Sequence, residues 1–156
     1  MGRNGRTHTG GSDAPLSDYT GFGKPVLAPA DGRVVEVTDS YPGNPPGTNS
    51  DHANNLVVDI GAGRCVVLAH LQQGSVTVGV GDVVRGAQPI AAVGNNGHSS
   101  APHLHFHVQD TPSGVVNADH TYPMVFSNVY VTRGGPWPWG DSGALRTGDL
   151  IGAVEE

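Results

Sequence analysis

Short apolar segments separated by glycine-rich turns are the feature that most constrains how this chain folds. The segments lie at residues 25–28, 33–37, 56–60, 64–70, 74–78, 81–86, 89–94 and 103–109. With 24 glycines and 12 prolines in 156 residues, turns are frequent throughout. No segment has the apolar spacing of a helix over three turns. The sequence therefore predicts an all-β fold of short antiparallel strands connected by turns and long loops.

The composition changes along the chain and indicates three regions. Residues 1–22 are polar and rich in Gly, Ser, Thr and Asp, which is typical of an N-terminal arm. Residues 23–110 hold the strand pattern and form the predicted β core, and residues 111–156 form a C-terminal extension without an assigned chemical role. Within the core, residues 41–54 are dense in Pro, Gly and Asn, so we expect a long irregular loop that is functional or mobile.

The charge pattern and the absence of long apolar runs argue against nucleic-acid binding and against a membrane span. The formal net charge is −6, and the 8 basic residues are scattered along the chain. A nucleic-acid surface needs clustered Lys and Arg, and a membrane span needs a long apolar run; the sequence has neither pattern. No apolar stretch follows the first residues, so we predict no signal peptide. The single cysteine, Cys65, lies in an apolar segment and is predicted to be a buried, unreactive thiol.

Residues 103–107 (HLHFH) concentrate three of the eight histidines. Side chains two apart in a strand share a face, so His103, His105 and His107 lie on one face while the apolar residues between them point to the core. Imidazoles at this spacing can ligate one metal ion, or one can ligate while its neighbour transfers protons. The alternative is a polar strand edge that faces solvent. His107 is the weaker candidate because it is the third histidine along the strand and can lie beyond the groove into which His103 and His105 would point.

The remaining histidines have less context. His70 ends the apolar segment 64–70, where a histidine is usually an ordinary core or rim residue. It joins the candidate site only if its strand lies beside His103. We interpret His98 and His120 as ordinary surface residues.

Five short sequence motifs that include or lie near these histidines follow one another along the chain. They are residues 25–32 (PVLAPADG), 69–71 (AHL), 78–88 (VGVGDVVRGAQ), 93–97 (VGNNG) and 102–106 (PHLHF). The series resembles the lysostaphin/LytM-type zinc metallopeptidases, which cleave peptide bonds in bacterial cell-wall peptidoglycan. The resemblance covers roughly residues 23–110. It implies a barrel-sandwich hybrid fold (duplicated hybrid motif), a Zn2+ cofactor, a peptidoglycan peptide as substrate, and a location outside the cell or in the cell envelope.

Carried over residue by residue, the resemblance implies that His105 is a zinc ligand and that His70 and His103 are catalytic. Zinc lowers the pKa of its water to about 7. Neighbouring imidazoles can then orient that water and stabilise the oxyanion of the transition state.

The family completes its zinc site with an early motif, Arg-x-His-x-Gly-x-Asp, that this chain matches only in part. Residues 6–13 read RTHTGGSD, so His8 fits, whereas Ser12 stands where Asp is expected and Asp13 comes one residue late. His8 and Asp13 are the candidate ligands. A one-residue slip turns a strand side chain to the opposite face, and a bulge at the neighbouring glycines would restore it.

A second interpretation of the early motif stays open. Residues 18–23 (DYTGFG) resemble a longer linker found in some relatives. On that interpretation the true ligands precede Met1, the chain is a truncated form, and one remaining ligand holds zinc poorly.

The leading functional hypothesis is a zinc metalloendopeptidase that cleaves cross-links or stem peptides of peptidoglycan. The alternative is a non-catalytic module of the same fold that binds peptidoglycan or regulates another cell-wall hydrolase. A carrier domain of the biotinyl or lipoyl kind needs a lysine at a hairpin tip. The only lysine, Lys24, precedes Pro25 at a strand start, so that hypothesis is set aside.

Overall fold

Strands make up nearly all of the regular structure. The computed structural model describes residues 8–9, 14–115, 120–124, 129–132 and 150–153. Within these residues the strands are β1 (Pro25–Leu27), β2 (Gly32–Thr38), β3 (Asn55–Asp59), β4 (Cys65–Ala69), β5 (Val83–Val84), β6 (Pro89–Ala92), β7 (His105–Gln109), β8 (Thr121–Tyr122), β9 (Val129–Thr132) and β10 (Leu150–Ala153). Helical structure in the described residues consists of a 3-10 turn at Leu16–Asp18 and 3-10 geometry at His120. The predicted all-β fold class is confirmed.

The chain divides into two compact units, Met1–Thr121 and Tyr122–Glu156. The main sheet has the strand order β5-β2-β3-β4-β7-β8, and β1 forms a separate pair with β6. The β1–β6, β2–β3, β3–β4 and β4–β7 pairs are antiparallel. In the second unit, β9 pairs with β10. The predicted region boundaries after residues 22 and 110 stay predictions.

The strand predicted at residues 74–78 is wrong. The carboxylate of Asp39 accepts hydrogen bonds from the backbone N–H groups of Gly74, at 2.9 Å, and Val76, at 3.0 Å. Backbone groups bound to a nearby side chain are withdrawn from a sheet ladder. The segment therefore lies beside β6 as an irregular chain, joined by a backbone bond of 3.0 Å from Thr77 N–H to the Ile90 carbonyl and by side-chain bonds of Ser75 and Thr77.

The core forms where the main sheet packs against the β1–β6 pair. Leu56 pairs with Leu68, and Val58 pairs with Val66, across the β3–β4 ladder. These four side chains join residues of β1 and β6 in one buried cluster. The intervening residues of the same strands face the other side of the sheet, where Val57, Cys65 and Val67 form a second buried cluster. Cys65 is a buried free thiol, as the sequence predicted.

Strand β7 extends the main sheet beside β4 and places its histidines. Its partners put His105 opposite Ala69, His107 opposite Val67 and Gln109 opposite Cys65. Leu104, Phe106 and Val108 pack against the main core instead. The predicted division between an imidazole face and an apolar face is therefore confirmed. No helix among the described residues is long and apolar enough to cross a membrane.

Candidate metal and catalytic site

A surface groove at the end of β4 and β7 has a volume of about 290 Å³. Its lining residues are Asp51, Ala53, Ala69, His70, Gly97, His98, His105 and Gly114. The groove exists because β4 ends at Ala69 directly opposite His105. Three loops complete its walls, since the other lining residues come from residues 41–54, 94–100 and 110–115.

His70 follows β4 in a backbone conformation that favours glycine. Its φ is +63°, and such a conformation costs a side-chain-bearing residue about 1–3 kcal/mol. Its ring is buried, and Nδ1 lies 2.7 Å from the backbone carbonyl oxygen of Asn96. Because a carbonyl oxygen only accepts, Nδ1 carries the ring proton and Nε2 keeps a lone pair. Burial lowers the pKa of His70, and the nearby His103 and His105 lower it further against the opposing Asn96 bond.

The segment that holds His70 depends on two close approaches. A Cβ at Gly94 would lie 2.6 Å from the backbone nitrogen of Gln72, so only glycine allows the two chain segments to meet. The buried side chain of Asn96 accepts from the Asn54 N–H at 2.8 Å and donates to the Leu71 carbonyl at 2.6 Å. These two bonds hold the Asn96 backbone so that its carbonyl oxygen can accept the hydrogen bond from His70 Nδ1.

His103 lies beside His70 at the rim of the groove, with 4.8 Å between the ring centroids. Its Nδ1 donates to the Ala101 carbonyl at 2.8 Å and lies 3.2 Å from the Ser99 hydroxyl. Ser99 in turn donates to the amide oxygen of the buried Asn95 at 2.7 Å. Both imidazoles are therefore held through Nδ1, and each keeps Nε2 for chemistry in the groove.

His105 lines the groove from β7, with 5.7 Å between its ring centroid and that of His70. Burial lowers its pKa first, and the adjacent His107 and His103 lower it further. A lowered pKa favours the neutral imidazole, which is the form that ligates metal ions. Within the part of the chain that the structure describes, no hydrogen bond reaches His105 Nδ1, whereas Nε2 lies 2.9 Å from His107 Nδ1.

Gln109 is a residue that the sequence reasoning missed. It is fully buried on the imidazole face of β7, and its amide oxygen lies 2.9 Å from His107 Nε2. The two-residue alternation that joins His103, His105 and His107 continues to position 109, and this was the available signal. His107 itself does not line the groove but connects His105 to Gln109.

The candidate ligands of the early motif are not brought to His105 in the described residues. His8 forms an isolated β-bridge with Tyr19, and the two rings lie 4.8 Å apart. His8 Nδ1 is buried, and no described residue forms a hydrogen bond with it. Asp13 lies outside the described residues. Among the described residues, no group of three His, Cys, Asp or Glu side chains is arranged to hold a metal ion.

The donor chemistry of the residues present fits part of a zinc site. His105 supplies a neutral imidazole with an available Nδ1, and the unpartnered Nδ1 of His8 is a second donor of the same type. Two nitrogen donors need at least one further ligand for a stable zinc site. A complete set therefore requires a residue beyond those described, and Asp13 is such a residue.

The two histidines interpreted as surface residues differ in position. His98 is exposed, but it lines the groove, and its Nε2 lies 4.0 Å from an Asp51 carboxylate oxygen. His120 is exposed and pairs with Asp110 at 2.8 Å, and this hydrogen bond lowers the pKa of Asp110. His98 thus lies on the groove rim, while His120 is an ordinary surface residue as predicted.

Comparison with protein families gives a match to "Peptidase family M23" over residues 17–119. The glycyl-glycine endopeptidase ALE-1 of Staphylococcus capitis is 36% identical over 108 residues, which cover 68% of this chain and 25% of that protein. The chain therefore spans about a quarter of the length of this relative.

Solved structures that are similar to this chain include two peptidases. The catalytic domain of the antimicrobial peptidase lysostaphin from Staphylococcus simulans is 26% identical, with a TM-score of 0.48 over 65% of this chain and 67% of that chain. A zinc-containing peptidase from Vibrio cholerae is 31% identical, with a TM-score of 0.45 over 58% of this chain and 24% of that chain.

Proposed function

We propose that this chain, which belongs to peptidase family M23, is a zinc-dependent endopeptidase that hydrolyses peptide bonds of bacterial peptidoglycan. The family is one of zinc-dependent peptidoglycan endopeptidases, and the membership confirms the resemblance predicted from the sequence. A substrate in the cell wall places the site of action outside the cytoplasm.

The observation that carries the proposal is the convergence of three histidines on one groove. His70 and His105 line it, and His103 lies 4.8 Å from His70 between ring centroids at its rim. His103 and His105 are two residues apart and are neighbours for that reason, but this spacing does not explain why His70, which directly follows β4, meets them. A strained, buried His70 held by a specific carbonyl is typical of a functional position.

His105, His8 and Asp13 are the residues proposed to hold zinc, which when bound supplies Lewis acidity at the scissile carbonyl. His70 keeps its proton on Nδ1 through Asn96, so Nε2 first accepts a proton and, once protonated, can donate it to a developing oxyanion. His103 is proposed to act in the same way, with Nδ1 held by the Ala101 carbonyl. The buried position of His70 excludes bulk water from one side of the reacting groups.

A non-catalytic module is the second candidate, and the position of His8 favours it. The ring of His8 packs on Tyr19, and within the described residues no contact joins it to His105. If that arrangement persists in solution, the groove binds peptidoglycan peptide without a complete metal site.

Metal analysis of the purified chain decides between the ligand assignments. We expect near-stoichiometric zinc in the wild type and in a His98→Ala control, which changes a groove histidine outside the proposed ligand set. Zinc lost from both His105→Ala and His8→Ala supports the proposed site. Zinc retained by His8→Ala removes His8 from the set, and a wild type without zinc rules out zinc catalysis by this chain.

Hydrolysis assays separate the enzyme from the binding module. Purified cross-linked peptidoglycan and an oligoglycine peptide are incubated with the chain before and after treatment with a chelator. Release of new amino termini that stops with chelator and returns with zinc supports the enzyme. Co-sedimentation with peptidoglycan without any release favours the binding module. We expect His70→Ala to retain zinc and lose hydrolysis, because His70 is proposed to transfer protons rather than to ligate.

A further inference from the structure

The amide of Gln109 is oriented by the loop that follows β7. Its nitrogen Nε2 lies 2.9 Å from the Thr111 carbonyl oxygen, 2.7 Å from that of Ser113 and 3.3 Å from that of Val115. A carbonyl oxygen only accepts, so the amide face that points at these three oxygens is the one with the two N–H groups. A flipped amide would place its oxygen against three others in a fully buried position.

This orientation determines where the protons lie on two histidines. The Gln109 amide oxygen lies 2.9 Å from His107 Nε2, so His107 Nε2 carries a proton. A neutral imidazole has one N–H, and His107 Nδ1 is therefore an acceptor. His105 Nε2 lies 2.9 Å from this acceptor and must donate to it. The lone pair of His105 is then on Nδ1.

We propose that Gln109 is a positioning residue that fixes the tautomer of His105 through His107, so that Nδ1 of His105 is the atom available to a metal ion. The proposal deepens the proposed function, on which its metal-binding consequence rests. A histidine ligand commonly has its second ring nitrogen held by a carboxylate, a carbonyl or water. In this chain that role belongs to a second imidazole, which is itself held by a buried amide.

The same amide also holds one wall of the groove. The loop at residues 111–115 is fixed from one side by Gln109 and from the other by Glu36, whose carboxylate accepts from the Gly114 N–H at 3.0 Å. Gly114 lines the groove together with His105. A loss of Gln109 is therefore expected to disturb both the tautomer and the loop, and the experiment must separate the two.

Three variants make that separation. Gln109→Glu keeps an oxygen that accepts from His107, so the tautomer persists. Its second oxygen cannot donate to the loop carbonyls, so the bonds that hold the loop are lost. Gln109→Met keeps the length of the side chain and removes both interactions. His107→Phe breaks the connection in the middle and leaves the bonds from Gln109 to the loop. Gln73→Met is the matched control, because it removes an exposed amide that bonds only the Ser40 carbonyl among the described residues.

The primary readout is 15N nuclear magnetic resonance of the histidine rings in the metal-free full chain at about pH 8, where free histidine is neutral. We expect His105 and His107 in the wild type, in Gln73→Met and in Gln109→Glu to carry the proton on Nε2 in slow exchange with water. In Gln109→Met and His107→Phe we expect His105 to exchange between both tautomers. A wild-type His105 with its proton on Nδ1, or an unchanged His105 in both Gln109→Met and His107→Phe, overturns the proposal.

Zinc affinity is the second readout. Loss of a group that orients a metal-bound histidine lowers metal affinity by about 10- to 100-fold. We expect this loss in Gln109→Met and His107→Phe, and a smaller loss in Gln109→Glu. Equal affinities in Gln109→Met and the wild type overturn the metal-binding consequence. A wild type that binds no zinc contradicts the proposed function, while the magnetic resonance result still decides whether Gln109 sets the tautomer.

Discussion

The Nδ1 atom of His70 lies 2.7 Å from the backbone carbonyl oxygen of Asn96, and this bond joins the end of β4 to the loop that precedes β7. The side chain of Asn96 secures the same junction through its bonds to Asn54 and Leu71. One buried asparagine thus connects the proposed proton-transfer residue to the two chain segments that flank the groove.

Replacement of Asn96 by alanine is expected to destabilise the fold and to impair His70 together. The variant leaves the buried Asn54 N–H without its partner and removes a donor from the Leu71 carbonyl, so the free energy of unfolding should fall by about 1–3 kcal/mol. Urea denaturation measures the fall. Hydrolysis should decrease more than zinc content does, because His70 is not a proposed ligand. Gln73→Ala, which alters an exposed amide, should stay within about 0.5 kcal/mol of the wild type.

The sequence predicted which histidines share a strand face, but it did not predict which distant residues come together to form the site. Alternation alone predicted a shared face for His103, His105 and His107, because side-chain direction in a strand is a local property, and the structure shows this pattern from the start of β7 at His105. The contact between His105 and His70 depends on the register that sets Ala69 opposite His105, a pairing between residues far apart in the chain. Local patterns contain no information on such a register, and only the family resemblance brought His70 into the site.

The buried asparagines show the limit of composition as a guide. Asn54, Asn95 and Asn96 lie in segments whose Gly and Asn content is typical of surface loops, yet each is fully buried. Their side chains bond backbone groups of other segments, and these partners appear only after the strands have assembled. The strand predicted at residues 74–78 failed for a related reason, since the Asp39 carboxylate that binds its backbone comes from a distant part of the sequence.

Gly94 is predicted to tolerate no side chain. The Cβ of an alanine would lie 2.6 Å from Gln72 N and 2.7 Å from Gln72 Cα, and backbone atoms cannot rotate away as a side chain can. We expect Gly94→Ala to lower the free energy of unfolding by about 1–3 kcal/mol, a cost typical of overpacking. Gly79→Ala is the control, since its Cβ would approach a single side-chain oxygen, of Asp82, at 3.8 Å. Equal midpoints of urea denaturation for the two variants would contradict this prediction.

The stability of the chain is predicted to fall in alkaline solution through Cys65. Burial raises the pKa of this thiol, and the negative charges of Asp59 and Asp110 raise it further. The folded state therefore keeps its thiol proton to a higher pH than the unfolded state does. This contribution to stability is complete below the unfolded pKa of about 8.5 and is lost as the pH rises above it.

Urea denaturation of the wild type and of Cys65→Ala at about pH 7 and about pH 10 tests whether ionisation of this thiol lowers the stability. The difference in unfolding free energy between the two proteins should narrow at the higher pH, because only the wild type loses stability through thiol ionisation. Other groups that titrate in this range contribute equally to both proteins. A native thiol that reacts with an aromatic disulfide reagent as fast as free cysteine would show that Cys65 is not protected.

Asn54 closes the base of the irregular loop at residues 41–54, and its loss is predicted to open that loop. Its amide oxygen accepts from the Tyr41 N–H at 2.8 Å, and its amide nitrogen donates to the Tyr41 carbonyl at 2.8 Å and the Leu71 carbonyl at 3.0 Å. Because Asp51 and Ala53 of this loop line the groove, we expect Asn54→Ala to weaken peptide binding as well as to destabilise the fold.

Limited proteolysis under native conditions measures the opening of this loop. Cleavage within residues 42–53 should become at least about tenfold faster in Asn54→Ala, since each 1.4 kcal/mol lost in closing the loop raises the population of the open form tenfold. Asn49→Ala, an exposed position in the same loop, should be cleaved at the wild-type rate. If both variants are cleaved equally fast, the loop is held by its other contacts, and the side chain of Asn54 does not control access to the groove.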